Sequence, residues 1–215
     1  MRDKPLASPI TGETWGDVIE PVRELLLQEA ALPFSALRPK LAAARQDLLN
    51  AIEGISEQQA AFRPPTGEGE AAWGIAEALR HVASVEAIMA DRIRQLGSGQ
   101  PLQLTPTYPG YMEAVDTRRL PELAAAITTS HTALLAAVAE IEGHERLDTF
   151  DTHRRFGELN CRGWLVMHGL HEQDHARQIE KIKRLDGYPS RCSISTGPPA
   201  ANTATFSITS STSSR

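Results

Sequence analysis

Two histidines four residues apart, in the run His171-Glu172-Gln173-Asp174-His175, have the types and spacing to do chemistry. On a helix that spacing stacks both imidazoles on one face, so both can aim at one point. Two convergent imidazoles are half of a transition-metal site, and a third ligand must come from elsewhere in the chain. From about Leu159 to Leu185 the sequence reads as one helix, interrupted by no proline. Projected at 3.6 residues per turn, Trp164, Met167, His171, Gln178, Ile182 and Leu185 share a stripe edged by His168, His175 and Ile179. Glu172, Arg177, Glu180, Lys181 and Arg184 are expected mostly on the other faces. Each buried imidazole needs a polar partner, and a shared metal satisfies both at once.

His-Glu-x-x-His also spells a zinc-peptidase motif, with the glutamate as general base. The extended form needs Gly and His where this chain has Gln178 and Lys181. Past Glu180 the only carboxylate side chain is Asp186, and no strand is expected before the helix. The third ligand is therefore sought upstream. His144 and His153 fall in a loop where solvent exposure is expected. His131 sits on an apolar stripe, as a hydrogen-bonded core residue or a pocket residue. His168 lies three before His171, and one helix rarely brings three ligands to one ion, so it reads as pocket lining or as support for a ligand. His81 is the best candidate, on the flank of a buried stripe between Ala78 and Val85, with Arg80 and Glu86 as solvated neighbours. Cys161 has no evident base and reads as a small buried residue, and Trp73 and Trp164 read as core before pocket wall. A di-metal carboxylate bundle is not expected, because neither His81 nor His171 has Glu three residues before it.

The elements that must position these side chains are helices. Amphipathic stretches run over about Trp15–Leu32, Phe34–Gly54, Gly74–Leu96, Leu120–Glu142 and Leu159–Leu185, and no strand pattern competes. The expected fold is all-α: a four-helix bundle over 34–188, preceded by an extension with one extra helix (1–33) and followed by a disordered Ser/Thr-rich tail (189–215). A length of 215 residues with 41% apolar content supports one core. The net charge of −5 with no basic face gives nucleic-acid binding no support. No apolar run is expected to approach the roughly 20 residues that span a bilayer, and the N-terminus lacks a signal-peptide core, so a cytoplasmic, membrane-free protein is expected. Cys161 and Cys192 do not make a disulfide framework.

Two segments carry a family resemblance. Trp73-Gly-Ile-Ala-Glu-Ala-Leu-Arg-His81-Val and Trp164-Leu-Val-Met-His-Gly-Leu-His171-Glu-Gln-Asp-His175-Ala-Arg-Gln-Ile179 resemble the two His-bearing signatures of the DinB superfamily, in the same order. The opening from Leu37 to Pro65, with its Ile55-Ser56 turn and Arg63-Pro-Pro, fits as well, and the resemblance spans roughly Phe34 to Asp186. It implies a four-helix bundle, commonly dimeric, with one divalent metal on His81, His171 and His175. Relatives include metal-dependent hydrolases, and transferases or isomerases that activate a low-molecular-weight thiol such as bacillithiol or mycothiol. Two features depart from the pattern: Gly74 replaces the usual Ser or Thr, and the leading helix and the tail have no counterpart.

Three neutral nitrogens leave an ion dipositive with open positions, where a water falls to a pKa of about 7 and a thiol is deprotonated. The expected function is thus a metal-dependent enzyme acting on a small molecule, as a hydrolase or thiol S-transferase. A non-catalytic stress-response bundle that binds metal or a small ligand is the alternative. Zinc or nickel is expected, with manganese and iron also suited to imidazole. No catalytic residue beyond the ligands is identified. Glu172 and Asp174 are candidate proton shuttles that read more simply as solvent-facing, and Glu77 is an acceptor for His81 or, more simply, a helix cap.

Overall fold

A computed structural model describes residues 15–103 and 118–190, with side chains from residue 19 onward. The expectations for residues 1–14 and for Cys192 and the tail beyond residue 190 lie outside the described residues. The order is α1 (Trp15–Ala30), α2 (Phe34–Ile52), a one-turn α3 (Glu57–Ala60), a 3₁₀ turn (Gly69–Ala72), α4 (Ile75–Gly97), α5 (Leu120–Ile141), β1 (Asp151–His153), β2 (Gly157–Leu159) and α6 (Cys161–Ile182).

The boundaries have local causes. Ser56 and Gln59 form a reciprocal capping box at α3. Glu77 accepts the Gly74 N–H at 2.7 Å at the start of α4. Asn160 Oδ1 accepts the Gly163 N–H at 2.9 Å at the start of α6. Gly97 lets the ends of α4 and α5 touch, since a Cβ there would lie 2.2 Å from Ile141 Cδ1.

The α2, α4, α5 and α6 helices form the four-helix bundle, with α5 packed on α4, α2 and α4 packed on α6, and α1 laid against α6. The apolar core is in two halves. One takes the N-terminal parts of α2 and α6 and the C-terminal parts of α4 and α5, including Phe34, Leu41, Met89, Ile93, Leu134 and Trp164. The other takes the opposite parts, including Leu48, Ile75, Leu79, Val82, Ile127 and Ile179. That division makes α2 and α6 run one way and α4 and α5 the other. Between the halves lie Arg45, Glu86, Ser130, His168 and Glu172, one or two from each helix and all buried.

Three expectations are corrected. The β1–β2 pair is an antiparallel hairpin with Asp151 opposite Leu159 and His153 opposite Gly157. Three-residue strands are too short to show a period-two pattern. Gly157 turns the chain at φ 75°, a conformation that favours glycine. Within the hairpin His153 is half-buried rather than exposed: its Nδ1 accepts the N–H groups of Arg155 and Phe156, each at 3.2 Å, and its ring stacks on Phe156 at 4.7 Å. His144 is exposed, as expected. The third correction concerns α5, which is long and apolar enough to cross a membrane by length and composition alone, with a mean hydropathy of 1.3. Alanines on its outer face raise that value. The opposite edge, Leu123, Ile127, Leu134, Val138 and Ile141, is buried in the bundle.

Candidate metal centre

His81 leaves α4 two turns after the Gly74 cap, and His171 and His175 leave α6 on adjacent turns. His171 Nε2 lies 2.9 Å from His81 Nε2 and 3.1 Å from His175 Nε2. Metal–nitrogen bonds of about 2.0–2.1 Å in a tetrahedral site place nitrogens roughly 3.3 Å apart. The three imidazoles therefore have the spacing of ligands to one ion, and they form a group that could hold one.

Two of the three donors also have the right protonation. Burial, and then the charge at His175, pushes the His81 imidazole down to about 3. Burial, and then His175 and His81, pushes His171 well below the usual histidine range. Both are neutral at neutral pH. His175 Nδ1 lies 2.8 Å from Gln178 Oε1, while Gln178 Nε2 donates to the Glu70 carbonyl at 2.6 Å. The carbonyl fixes the amide's orientation, the amide oxygen then takes the Nδ1 proton, and the His175 Nε2 lone pair faces the other two rings. The Nδ1 atoms of His81 and His171 are buried with no hydrogen-bond partner among the described residues. A shared cation satisfies three converging Nε2 lone pairs better than any exchange of protons among them.

Trp73 is a core residue and also a wall of this centre, with its ring 4.9 Å from His81 and 6.4 Å from His175. Trp164 packs away from it, under the Arg92 guanidinium at 4.0 Å. Glu77 caps α4 and pairs with Arg63, so the simpler of its two expected roles holds. Cys161 is buried, and burial pushes its thiol up to about 11, so it is no nucleophile at neutral pH.

Beside the centre is a second group that sequence reasoning placed wrongly. Glu86 and Glu172, expected in solvent, are both 0% exposed. Arg45 Nη2 lies 2.5 Å from Glu86 Oε1 and also bonds Glu172 Oε1. Ser130 Oγ donates to Glu86 Oε2 at 2.5 Å, and His131 Nδ1 lies 2.9 Å from Glu86 Oε1. His131 is thereby the hydrogen-bonded core residue of its two expected roles. His168 Nε2 is 3.3 Å from Glu86 and 3.2 Å from Glu172. Burial opposes charge on His168, but hydrogen bonds to Glu172 and Glu86, and their charges, outweigh it and raise the imidazole to about 9. Burial likewise opposes charge on Glu86, yet hydrogen bonds from His131 and His168 and the charges of His168 and Arg45 hold it well below the carboxylate range. Two carboxylates thus meet two cations. Glu86, His168 and Glu172 also have metal-ligand spacing, but the Arg45 guanidinium already sits where an ion would. The sequence signal was present: Arg45 and Glu86 occupy positions of apolar stripes, Arg45 four after Leu41 and Glu86 four after Val82.

Residues 40–179 match the family model of the DinB superfamily. The crystal structure of TT2238, described as a four-helix bundle protein, is 24% identical, covering 68% of this chain and 98% of that one with a TM-score of 0.50. That likeness bears on the fold alone. No curated protein matches the chain. The matched span holds all three convergent histidines and the whole charged layer, and it leaves out α1.

Proposed function

The chain belongs to the DinB superfamily, and on that premise we propose that it is a metal-dependent enzyme that holds one divalent transition-metal ion on His81, His171 and His175. Its reaction is hydrolysis or thiol S-transfer on a small molecule. The observation that carries this reading is the convergence of three Nε2 atoms from two helices, at 2.9 and 3.1 Å. When bound, the ion supplies Lewis acidity that lowers the pKa of a water or thiol it takes up. The chain's own residues do the rest. His81, His171 and His175 present their Nε2 atoms, Gln178 fixes the tautomer of His175, and Trp73 keeps water from one side of two of the rings. Three imidazoles suit zinc or nickel, and manganese and iron as well. As the family resemblance implies, the working form is proposed to be a homodimer.

The alternative is a non-catalytic bundle that binds metal or a small ligand, and the burial of two of the three histidines favours it: His81 is 6% and His175 2% exposed, while His171 is half-buried. Metal analysis of the purified protein and of His81→Ala and His171→Ala tests the ligand set. A single equivalent in the parent, lost from both variants, is expected, and unchanged content in both would overturn it. Conjugation of bacillithiol or mycothiol to a haloaromatic electrophile, run beside ester hydrolysis, then separates the activities. Turnover in neither assay by the loaded protein would leave the non-catalytic reading.

A further inference from the structure

The buried layer beside the metal centre does more than fill the core. Arg45, on α2, has a side chain only 7% exposed, and its single Nη2 atom bonds carboxylates from two other helices. Those helices are the two that carry the convergent histidines. Glu86 follows His81 by five residues on α4, and Glu172 directly follows His171 on α6. Consecutive residues point about 100° apart around a helix axis, so holding Glu172 toward α2 fixes where His171 and His175 point. Holding Glu86 sets α4 in the same way. Arg45 Nη1 also donates to the Ile127 carbonyl of α5 at 3.4 Å, which brings the fourth helix to the same guanidinium.

Stability does not account for this arrangement. Buried ion clusters are commonly no more stabilising than apolar side chains of the same volume, because desolvation offsets the Coulombic gain. An apolar layer would join the two core halves and leave α4 and α6 freer to rotate and slide against each other. From this geometry we infer that Arg45 is a positioning residue of the metal centre. Its guanidinium locks α4 and α6 in the one rotational setting that brings His81, His171 and His175 together, and it fills the place a second cation would need between Glu86 and Glu172.

The inference rests on the metal reading above for its first readout and is independent of it for its second. The test variant is Arg45→Met with Glu172→Gln, which removes one charge of each sign and keeps both shapes. Thermal melting shows whether the layer has kept its stability. Zinc affinity, measured by chelator competition, is expected to fall by about tenfold or more in the double variant, while melting stays within a few degrees of the parent. In a metal-free crystal structure of the double variant, the Nε2 atoms of His171 and His175 are expected to move out of reach of His81 Nε2. Should the double variant fail to fold, Arg45→Lys preserves the charge but not the two-way bond, and it is expected to show intermediate affinity. A folded variant with parental zinc affinity and parental Nε2 spacing would overturn the role. If the parent itself binds no zinc, the metal reading fails, and the Nε2 spacing alone decides whether Arg45 positions the histidines.

Discussion

Gln178 decides which nitrogen of His175 carries the proton, and it does so because its own amide is held by the Glu70 carbonyl. Gln178→Leu keeps the volume and removes the acceptor. The expected result is a roughly ten- to hundredfold loss of zinc affinity with the fold intact, read by chelator competition beside a melting curve. Unchanged affinity would show that packing by Trp73 alone orients the ring. At this scale the convergent histidines were legible because helical spacing and stripe position are both visible in a sequence. The partners of Gln178 were not. Its acceptor role depends on a backbone carbonyl over a hundred residues away, and no periodicity encodes that contact.

Among the elements, the start of α4 carries its own explanation for a departure from the family pattern. Gly74 stands where a capping Ser or Thr is usual, and a Cβ there would lie 2.5 Å from the Phe62 carbonyl oxygen. A hydroxyl cap is worth about 1 kcal/mol in open space, but here the side chain collides with backbone. Gly74→Ser is therefore expected to lower the melting temperature, and a rise would show that the preceding loop yields. The hairpin before α6 supplies a pH prediction. Burial, and then the charges of Arg154, Arg155 and Arg92, pushes His153 down to about 4. The unfolded chain takes up this proton near pH 6.5 and the folded chain only near 4, so the histidine's contribution is complete above 6.5 and is lost as pH falls to 4. His153→Asn keeps an acceptor for the Arg155 and Phe156 N–H groups and does not titrate. Its stability should fall less between those pH values in denaturant titrations, and parallel curves would refute the assignment. The five long helices were readable from apolar spacing, whereas the hairpin is held by a glycine turn and a histidine acceptor that spacing does not report.

Across the whole molecule, the division of labour follows the boundary of the family match. Every convergent histidine and every member of the charged layer lies within residues 40–179, whereas α1 lies outside and packs on α6, with Val22, Leu26 and Ala30 buried. The apolar stripe of α1 could be read from sequence; that its partner is α6 could not, because a stripe shows what is buried and not against what. The charged layer was missed for a related reason. Arg45, Glu86 and Glu172 look like solvated charges until three helices bring them to one level, and only then do their signs cancel. Removing α1 exposes the Leu37 and Leu165 side of the bundle and forfeits the burial of Val22 and Leu26, each worth about 1.5–3 kcal/mol. It touches neither Arg45 nor the three convergent histidines. A chain beginning at residue 31 is therefore expected to melt well below the full chain yet to bind zinc with the same stoichiometry and an affinity within a few fold. If metal binding disappeared while helical circular dichroism persisted, α1 would have to act on the setting of α6, and the charged layer would not suffice to aim the histidines.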